Sequence, residues 1–407
     1  MRPCRPSSPL RLRRCAAVLA VALLAAACSA PTGAGGEADG EAAATLHTTH
    51  ATLLRLEAEA GGVTLARVRS PWREGALLAQ YLLVPRADTA WTPQREARAR
   101  ARWGADLQVV RTPLRRSALG ASCLCYLLGE LGAADCVAAV CDAAYTSLPE
   151  VRRRLADGRL RDAGSSALPN GEVLAEAACD AVWLSPLEQA MPSVRLAPGT
   201  ALILCADYME TSPLARAEWM RFYGRLVGRA EAADSLFAAV AARYAALAAD
   251  PTEPPRGARL LADLPMSSTW YVPGGRSTLG RLFRDAGFRY LWADDAHAGS
   301  LPLSVEAVLA EAAGSDVWIF RYYDPAKAAW SRADLLSHHP LLRRLGVVRR
   351  GRLYGCNTAR SAFFDEVPFR PDLLLAELRR LAAPPCPCAG GPSGCGSSAA
   401  SYFHPVL

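Results

Sequence analysis

The chain has 407 residues, a formal net charge of +7 and 51% hydrophobic residues, enough to bury more than one core. Five arginines (Arg2, Arg5, Arg11, Arg13 and Arg14) fall in the first 14 residues, so the remainder is near +2, which excludes the electrostatic footprint of a nucleic-acid-binding protein. Lys327 is the only lysine, and the arginine excess reads as a compositional bias rather than as individually chosen phosphate or carboxylate forks.

The arginine-rich start leads into an apolar run, Cys15 to Ala27, and then Cys28. A charged segment, a short apolar segment and small residues make a secretory signal, and the run is too short to span a bilayer. Leu24-Ala25-Ala26-Ala27-Cys28 resembles a bacterial lipobox, although the leucine stands four rather than three residues before the cysteine. Cys28 is therefore expected to be the lipidated first residue of the processed chain, a membrane anchor. Residues 1–27 are the expected signal and 28–45, rich in Gly, Ala and Pro, the expected flexible tether.

Val63 to Val68, Leu77 to Val84 and Leu107 to Val110 read as strands, which assigns 46–112 to an N-terminal β extension. A first lobe, 113–228, follows. Cys123 to Leu131 is a helix closed by Gly132, Val137 to Cys141 a strand, Val173 to Ala178 a helix, and Ala181 to Leu184 and Ala201 to Cys205 strands. Strands alternating with helices imply parallel βαβ units. Pro213 to Ala249 has helical spacing throughout, with Ser212 as N-cap and Pro213 at the first helical position. Gly224 and Gly228 divide it, leaving a connecting helix over 229–250. A second lobe over 251–384 repeats the alternation: strand Arg259 to Leu264, helices Ser277 to Ala286 and Ser304 to Ala313, strand Val317 to Phe320, a turn and strand within Val347 to Leu353, and a final helix Pro371 to Leu381. Residues 385–407 form a cysteine-rich tail and C-terminus. Its Cys386, Cys388 and Cys395 lack a matched CxxC pair, so no zinc site is expected, and the isolated cysteines elsewhere read as small buried apolar residues. Cysteine connectivity is open.

The two halves echo each other. GEVLAEAACDAVWLSP (Gly171 to Pro186) and VEAVLAEAAGSDVWIF (Val305 to Phe320) are each a short amphipathic helix, an acid and an apolar strand, with Glu172 and Glu306 near the helix starts. A unit duplicated about 130 residues apart implies two similar α/β lobes, and a cleft between lobes is a preferred ligand site.

Four further segments carry a family resemblance: CADYMETSPLARAEWMRFYGRLVGRAEAADSLF (Cys205 to Phe237), WYVPGGRSTLGRLFRDAGFRYLWADD (Trp270 to Asp295), GSLPLSVEAVL (Gly299 to Leu309) and RLYGCNTARSAFFDEVPFRPDLLL (Arg352 to Leu375). The chain resembles the periplasmic substrate-binding lipoproteins of ABC importers, in the cobalamin and ferric-siderophore class and its Bacteroidetes branch. That resemblance implies an α/β fold of two Rossmann-like lobes joined by one long backbone helix, here with the N-terminal β extension. It implies a monomer that delivers a metal-chelate ligand to an inner-membrane ABC permease and its ATPase. Glu172 and Glu306 would dock arginine pockets on the permease halves; in elementary terms each is also an acid favoured by a helix N-terminus.

Ligand contacts are expected in the loops after the strands: Tyr145 and Ser185 from the first lobe, and Trp270, Tyr271, Arg276, Arg321, Tyr322, Tyr323, Asn357, Thr358 and Phe363 from the second. Aromatics with arginines suit a bulky flat or anionic ligand: a ferric siderophore first, cobalamin second, haem third. No enzyme, cofactor or resident metal is expected. Pro273 to Thr278 lacks P-loop spacing, there is no GxSxG elbow or HExxH, and Asp294, Asp295 and His297 lack a second ligand cluster. The competing classes are a periplasmic enzyme on the same scaffold and a ligand-storing lipoprotein without a transporter.

Overall fold

The computed structural model describes residues 46–188, 191–192, 194–250, 257–383 and 401–407. The signal, Cys28, the tether and the tail cysteines lie outside the described residues.

Strands β1 (Leu54–Glu59), β2 (Val63–Arg69) and β3 (Leu77–Pro85) form an antiparallel meander. Helix α1 (Pro93–Trp103) then carries the chain to β4 (Gln108–Thr112), which pairs with β3 in parallel. The extension is thus a β-meander with one helix on its outer face, where Leu65, Leu82, Val84, Ala99 and Leu107 pack together. Its inner face joins the first lobe. Tyr81 is fully buried, donates its hydroxyl to the Leu202 carbonyl at 3.1 Å and accepts from Leu204 N–H at 2.8 Å. A side chain thus stands in for the ladder bonds that would otherwise link the two sheets.

The first lobe runs β5 (Ser117–Leu119), α2 (Ser122–Glu130), β6 (Val137–Val140), α3 (Pro149–Ala156), β7 (Arg161–Asp162), the small hairpin β8 (Gly164–Ser165) and β9 (Leu168–Pro169), α4 (Gly171–Glu176), β10 (Ala181–Leu184) and β11 (Ala201–Leu204). Its sheet has the order β11-β10-β5-β6-β7, all parallel. All four residues of β10 are buried: Ala181 and Trp183 face one cluster, Val182 and Leu184 another. That is why a parallel strand covered on both faces reads as an unbroken apolar run.

Three helices follow: α5 (Pro213–Glu218), α6 (Met220–Leu226) and α7 (Ala230–Leu247). Ser212 caps α5 by accepting from Ala215 N–H at 3.0 Å. Gly224 lets α7 pack hard on α6, since a Cβ there would lie 2.4 Å from that of Ala233, and Gly228 turns the chain at φ +69°. Helix α7 is 18 residues, about 27 Å long. Ala233 and Phe237 at its start lie in the first lobe's core and Tyr244 near its end in the second's. It is the long helix that joins the lobes, somewhat shorter than the span 229–250.

The second lobe comprises β12 (Arg259–Ala262), β13 (Pro265–Met266), β14 (Thr269–Pro273), α8 (Thr278–Asp285), β15 (Arg289–Tyr290), β16 (Ser300–Ser304), α9 (Val305–Glu311), β17 (Val317–Tyr322), α10 (Arg332–His338), α11 (Gly346–Arg350), β18 (Arg352–Asn357), α12 (Phe363–Glu366), α13 (Pro371–Ala382) and β19 (His404–Pro405). Its main sheet, β15-β12-β17-β18-β19, is parallel except for β19. Residues 404–405 therefore belong to this lobe rather than to a tail. A separate antiparallel sheet, β13-β14-β16, covers one side, with Trp270 of β14 and Trp318 of β17 at 5.7 Å. The fold is α/β, with two parallel-sheet lobes, one long joining helix and an N-terminal β extension. No helix among the described residues is long and apolar enough to cross a membrane.

Candidate functional site

The lobes meet at the C-terminal ends of their parallel strands, where α/β sheets hold ligands. A hollow of roughly 380 Å³ opens there. Gly120 to Cys123, after β5, and Cys141, Asp142 and Tyr145, after β6, line it from the first lobe, and Phe364 of α12 from the second. Tyr145 is 74% and Phe364 55% exposed, so two rings from opposite lobes stand open beside it. Asp142 has φ +50°, an unusual backbone for a residue with a side chain. It is held by its N–H donating to the Gly164 carbonyl at 2.7 Å and by its carboxylate accepting from Ser166 N–H at 3.3 Å. Asp263, directly after β12 in the second lobe, has φ +58°. Burial pushes the Cys123 and Cys141 thiols up to about 12, so they form soft walls rather than nucleophiles.

Four expected contacts are packed inside. Trp270 is 0% exposed, and its indole N–H donates to the Ala262 carbonyl at 3.1 Å. Alternation along β14 turns Trp270 and Val272 inward and leaves the next ring, Tyr271, outside. Tyr322 is likewise buried, stacked on Trp330 at 4.2 Å, while Tyr323 is 57% exposed. Phe363 packs in the second core against Tyr402 and Phe403, and Phe364 turns out. In each pair one ring is packed and its neighbour open; of the open rings Tyr271 and Tyr323 are among the expected contacts and Phe364 is not. Asn357 is also buried. Its amide donates to the Asp324 and Lys327 carbonyls, both at 2.8 Å, tying the 324–327 loop.

Arg321 does not present a free charge. It forks onto Asp263 at 2.9 and 2.6 Å, and its guanidinium lies 5.7 and 5.8 Å from the Phe363 and Phe364 ring centres, a cation–π prop for the open ring. Thr358 is spent on the Tyr322 carbonyl, to which both its N–H and its hydroxyl donate. Ser185 and Arg276 are exposed, as expected of loop residues after β10 and β14. Reading the sequence alone missed Asp142, Ser122 and Phe364. The only advance signal was that Phe363-Phe364 is an aromatic pair, of which one ring must face out.

Glu172 and Glu306 are both exposed and occupy the same position, second after the N-cap, on α4 and α9. Asn170 caps the first helix, accepting from Glu172 N–H at 3.0 Å, and Ser304 the second, accepting from Ala307 N–H at 3.2 Å. Glu172 borders an open depression of roughly 780 Å³ shared with Leu168, Val194 and Arg195. No group of three His, Cys, Asp or Glu side chains able to hold a metal occurs among the described residues.

Residues 127–359 match the family described as periplasmic binding protein. An uncharacterised lipoprotein of Methanocaldococcus jannaschii is 23% identical over 211 residues, 50% of this chain and 49% of that protein. The chain thus spans about half the length of the curated relative it matches. Among solved structures, the periplasmic heme-binding protein HutB of Vibrio cholerae aligns over 66% of this chain and 99% of its own at 14% identity, TM-score 0.51. The Fe3+-hydroxamate transport protein of Saccharomonospora viridis aligns over 66% and 92% at 20% identity, TM-score 0.46. Identities this low bear on the fold alone. The β1–β4 extension precedes the matched span.

Proposed function

The chain belongs to the periplasmic binding protein family, and on that premise we propose that it is the substrate-binding component of an ABC importer. It captures a bulky metal chelate between its lobes and hands it to an inner-membrane permease and ATPase, as a monomer anchored in the periplasm through lipid on Cys28. The observation that carries the reading is the hollow at the strand ends, lined by the open rings of Tyr145 and Phe364 from opposite lobes. Its volume is within the range of small-molecule sites, and aromatic faces suit flat or bulky apolar ligands.

The charge at the site orders the candidates. Asp142 is an acid in the lining, and the nearby Arg321 is already neutralised by Asp263. A chelate without net negative charge fits best, since an anion would face the Asp142 carboxylate, which no ion pair among the described residues neutralises. A neutral ferric hydroxamate siderophore therefore comes first. Cobalamin, larger than the hollow as it stands, comes second, and haem, with two propionates, third. Tyr145, Phe364 and Tyr323 contact the ligand, with Tyr271, Ser185 and Arg276 at the periphery.

Glu172 and Glu306, one on each lobe at matched helix positions, dock the permease; two carboxylates on separate lobes report lobe separation to a partner carrying arginines. Calorimetric titration of the purified protein with a ferric trihydroxamate, cyanocobalamin and haem tests the reading. Saturable binding of one of them at unit stoichiometry is expected. Heat from none, with turnover of another substrate, moves the protein to the enzyme class. Binding without any stimulation of a co-encoded permease and ATPase moves it to ligand storage.

A further inference from the structure

The contacts between the lobes differ in kind on their two sides. Away from α12 an apolar side chain crosses between them: Phe369, carried just ahead of α13, is 0% exposed and sits in the first lobe's core, 6.0 Å from Tyr223. Around α12, whose Phe364 lines the hollow, they are polar. Tyr126 of α2 donates its hydroxyl to Glu366 of α12 at 2.8 Å, and Tyr402 donates to the other oxygen of the same carboxylate at 2.5 Å. Glu130, one turn after Tyr126, pairs with Arg370, one turn after Glu366, at 3.5 Å. Ser147, in the loop after β6, donates to Asp365, whose carboxylate is buried.

Apolar contact resists separation because water gains nothing from the exposed surface. Hydrogen bonds exchange for water at small net cost. A seam that is apolar on one side and hydrogen-bonded on the other opens at the hydrogen-bonded side, as a hinge with a latch.

We propose that α12, seated on α2 through the Tyr126–Glu366 and Ser147–Asp365 hydrogen bonds, is a latch that sets the closed state of the interlobe hollow. Phe364, on the same turn as Asp365 and Glu366, lines the hollow, so undocking α12 withdraws one wall as the lobes part. The consequence for ligand entry rests on the reading of the hollow as the ligand site. The latch itself does not, because lobe separation is measurable without any chelate.

The experiment places one spin label on each lobe, at the exposed positions 176 and 311. An unnatural ketone-bearing residue takes the label, so that the native thiols stay unlabelled. Distances are compared between the wild type and Tyr126→Phe combined with Ser147→Ala, which deletes two hydroxyls and little volume. Two such hydrogen bonds to carboxylates are expected to shift the closed-to-open ratio toward open by roughly tenfold or more. The distance distribution should move to longer values, with an unchanged circular-dichroism spectrum. A double variant with the wild-type distribution overturns the latch. If the double variant does not fold, Tyr126→Phe alone is read the same way, with a smaller shift expected and an unchanged distribution again overturning the proposal. A latch that passes in a protein binding no chelate would leave the device standing and remove the proposed ligand.

Discussion

Replacing Trp270 with alanine should damage stability rather than ligand affinity. The ring is fully buried, packs 5.7 Å from Trp318, and spends its only polar atom on the Ala262 carbonyl. Deleting a buried Trp costs about 3–5 kcal/mol through lost burial and the cavity left behind, which includes the stranding of one carbonyl acceptor. Against a typical total of about 5–15 kcal/mol this is a large fraction. Scaled from about 2–4 °C per kcal/mol at 150–250 residues to about 1–2 °C for a chain of 407, it should lower the melting temperature by roughly 3–10 °C. Tyr271→Ala is the internal control. That ring is the next residue on the opposite face of β14 and is exposed, so its removal should stay within about 0.5 kcal/mol. Thermal and urea unfolding followed by circular dichroism measure both. If Trp270→Ala melts with the wild type, or loses chelate affinity while keeping its stability, the ring faces the ligand and the inward phase of β14 is wrong.

Tyr145→Ala and Phe364→Ala should each weaken chelate binding by about 0.5–1.5 kcal/mol, the worth of an aromatic contact, and leave the melting temperature in place. Calorimetry in which neither variant differs from wild type would remove both rings from the site. Glu172→Arg and Glu306→Arg should leave chelate affinity unchanged and reduce stimulation of the permease-coupled ATPase, because attraction to a permease arginine becomes repulsion. Full stimulation by either variant strikes that glutamate from the docking surface. Glu218 is buried and accepts from the N–H groups of Thr49, His50 and Ala51 at 2.7–3.0 Å. Glu218→Ala, which strands those donors and removes one of Arg221's two carboxylate partners, should cost about 2–4 kcal/mol and speed hydrogen exchange at residues 49–51. Unchanged protection there would show that the carboxylate does not hold residues 49–51.

The elements legible in the sequence are those whose local chemistry and burial agree. Ala181–Leu184 and Val317 to Phe320 are apolar runs because both faces of their sheets are covered, and Ser212, Ser277 and Ser304 stand at helix starts because each accepts from an N–H three residues on. The duplicated helix and strand announced two lobes, and the structure adds that Glu172 and Glu306 are positionally equivalent. Helix α1 was not legible. Of Pro93–Trp103 only Ala99 is buried, so an arginine-rich helix on one small apolar patch leaves no period to read. Strand β5 is three residues long and β13 two, too short for alternation to register, and the pairing of His404 with Gly355 is set by tertiary contact alone. Burial at the candidate rings was not legible: Trp270-Tyr271, Tyr322-Tyr323 and Phe363-Phe364 are adjacent pairs, and a one-residue change of phase exchanges core and surface, so which of each pair is open could not be read. Arg321 was read as a ligand contact because its partner, Asp263, lies 58 residues away.

The central claim is that a metal chelate rests between the lobes at the strand ends. Anomalous diffraction at the iron edge, from crystals grown with a ferric trihydroxamate, locates the metal without reference to any ligand geometry. The account predicts one strong peak in the hollow bounded by Gly120–Cys123, Tyr145 and Phe364. A single peak elsewhere on the molecule, or none in crystals of protein that binds the chelate in solution, would contradict it.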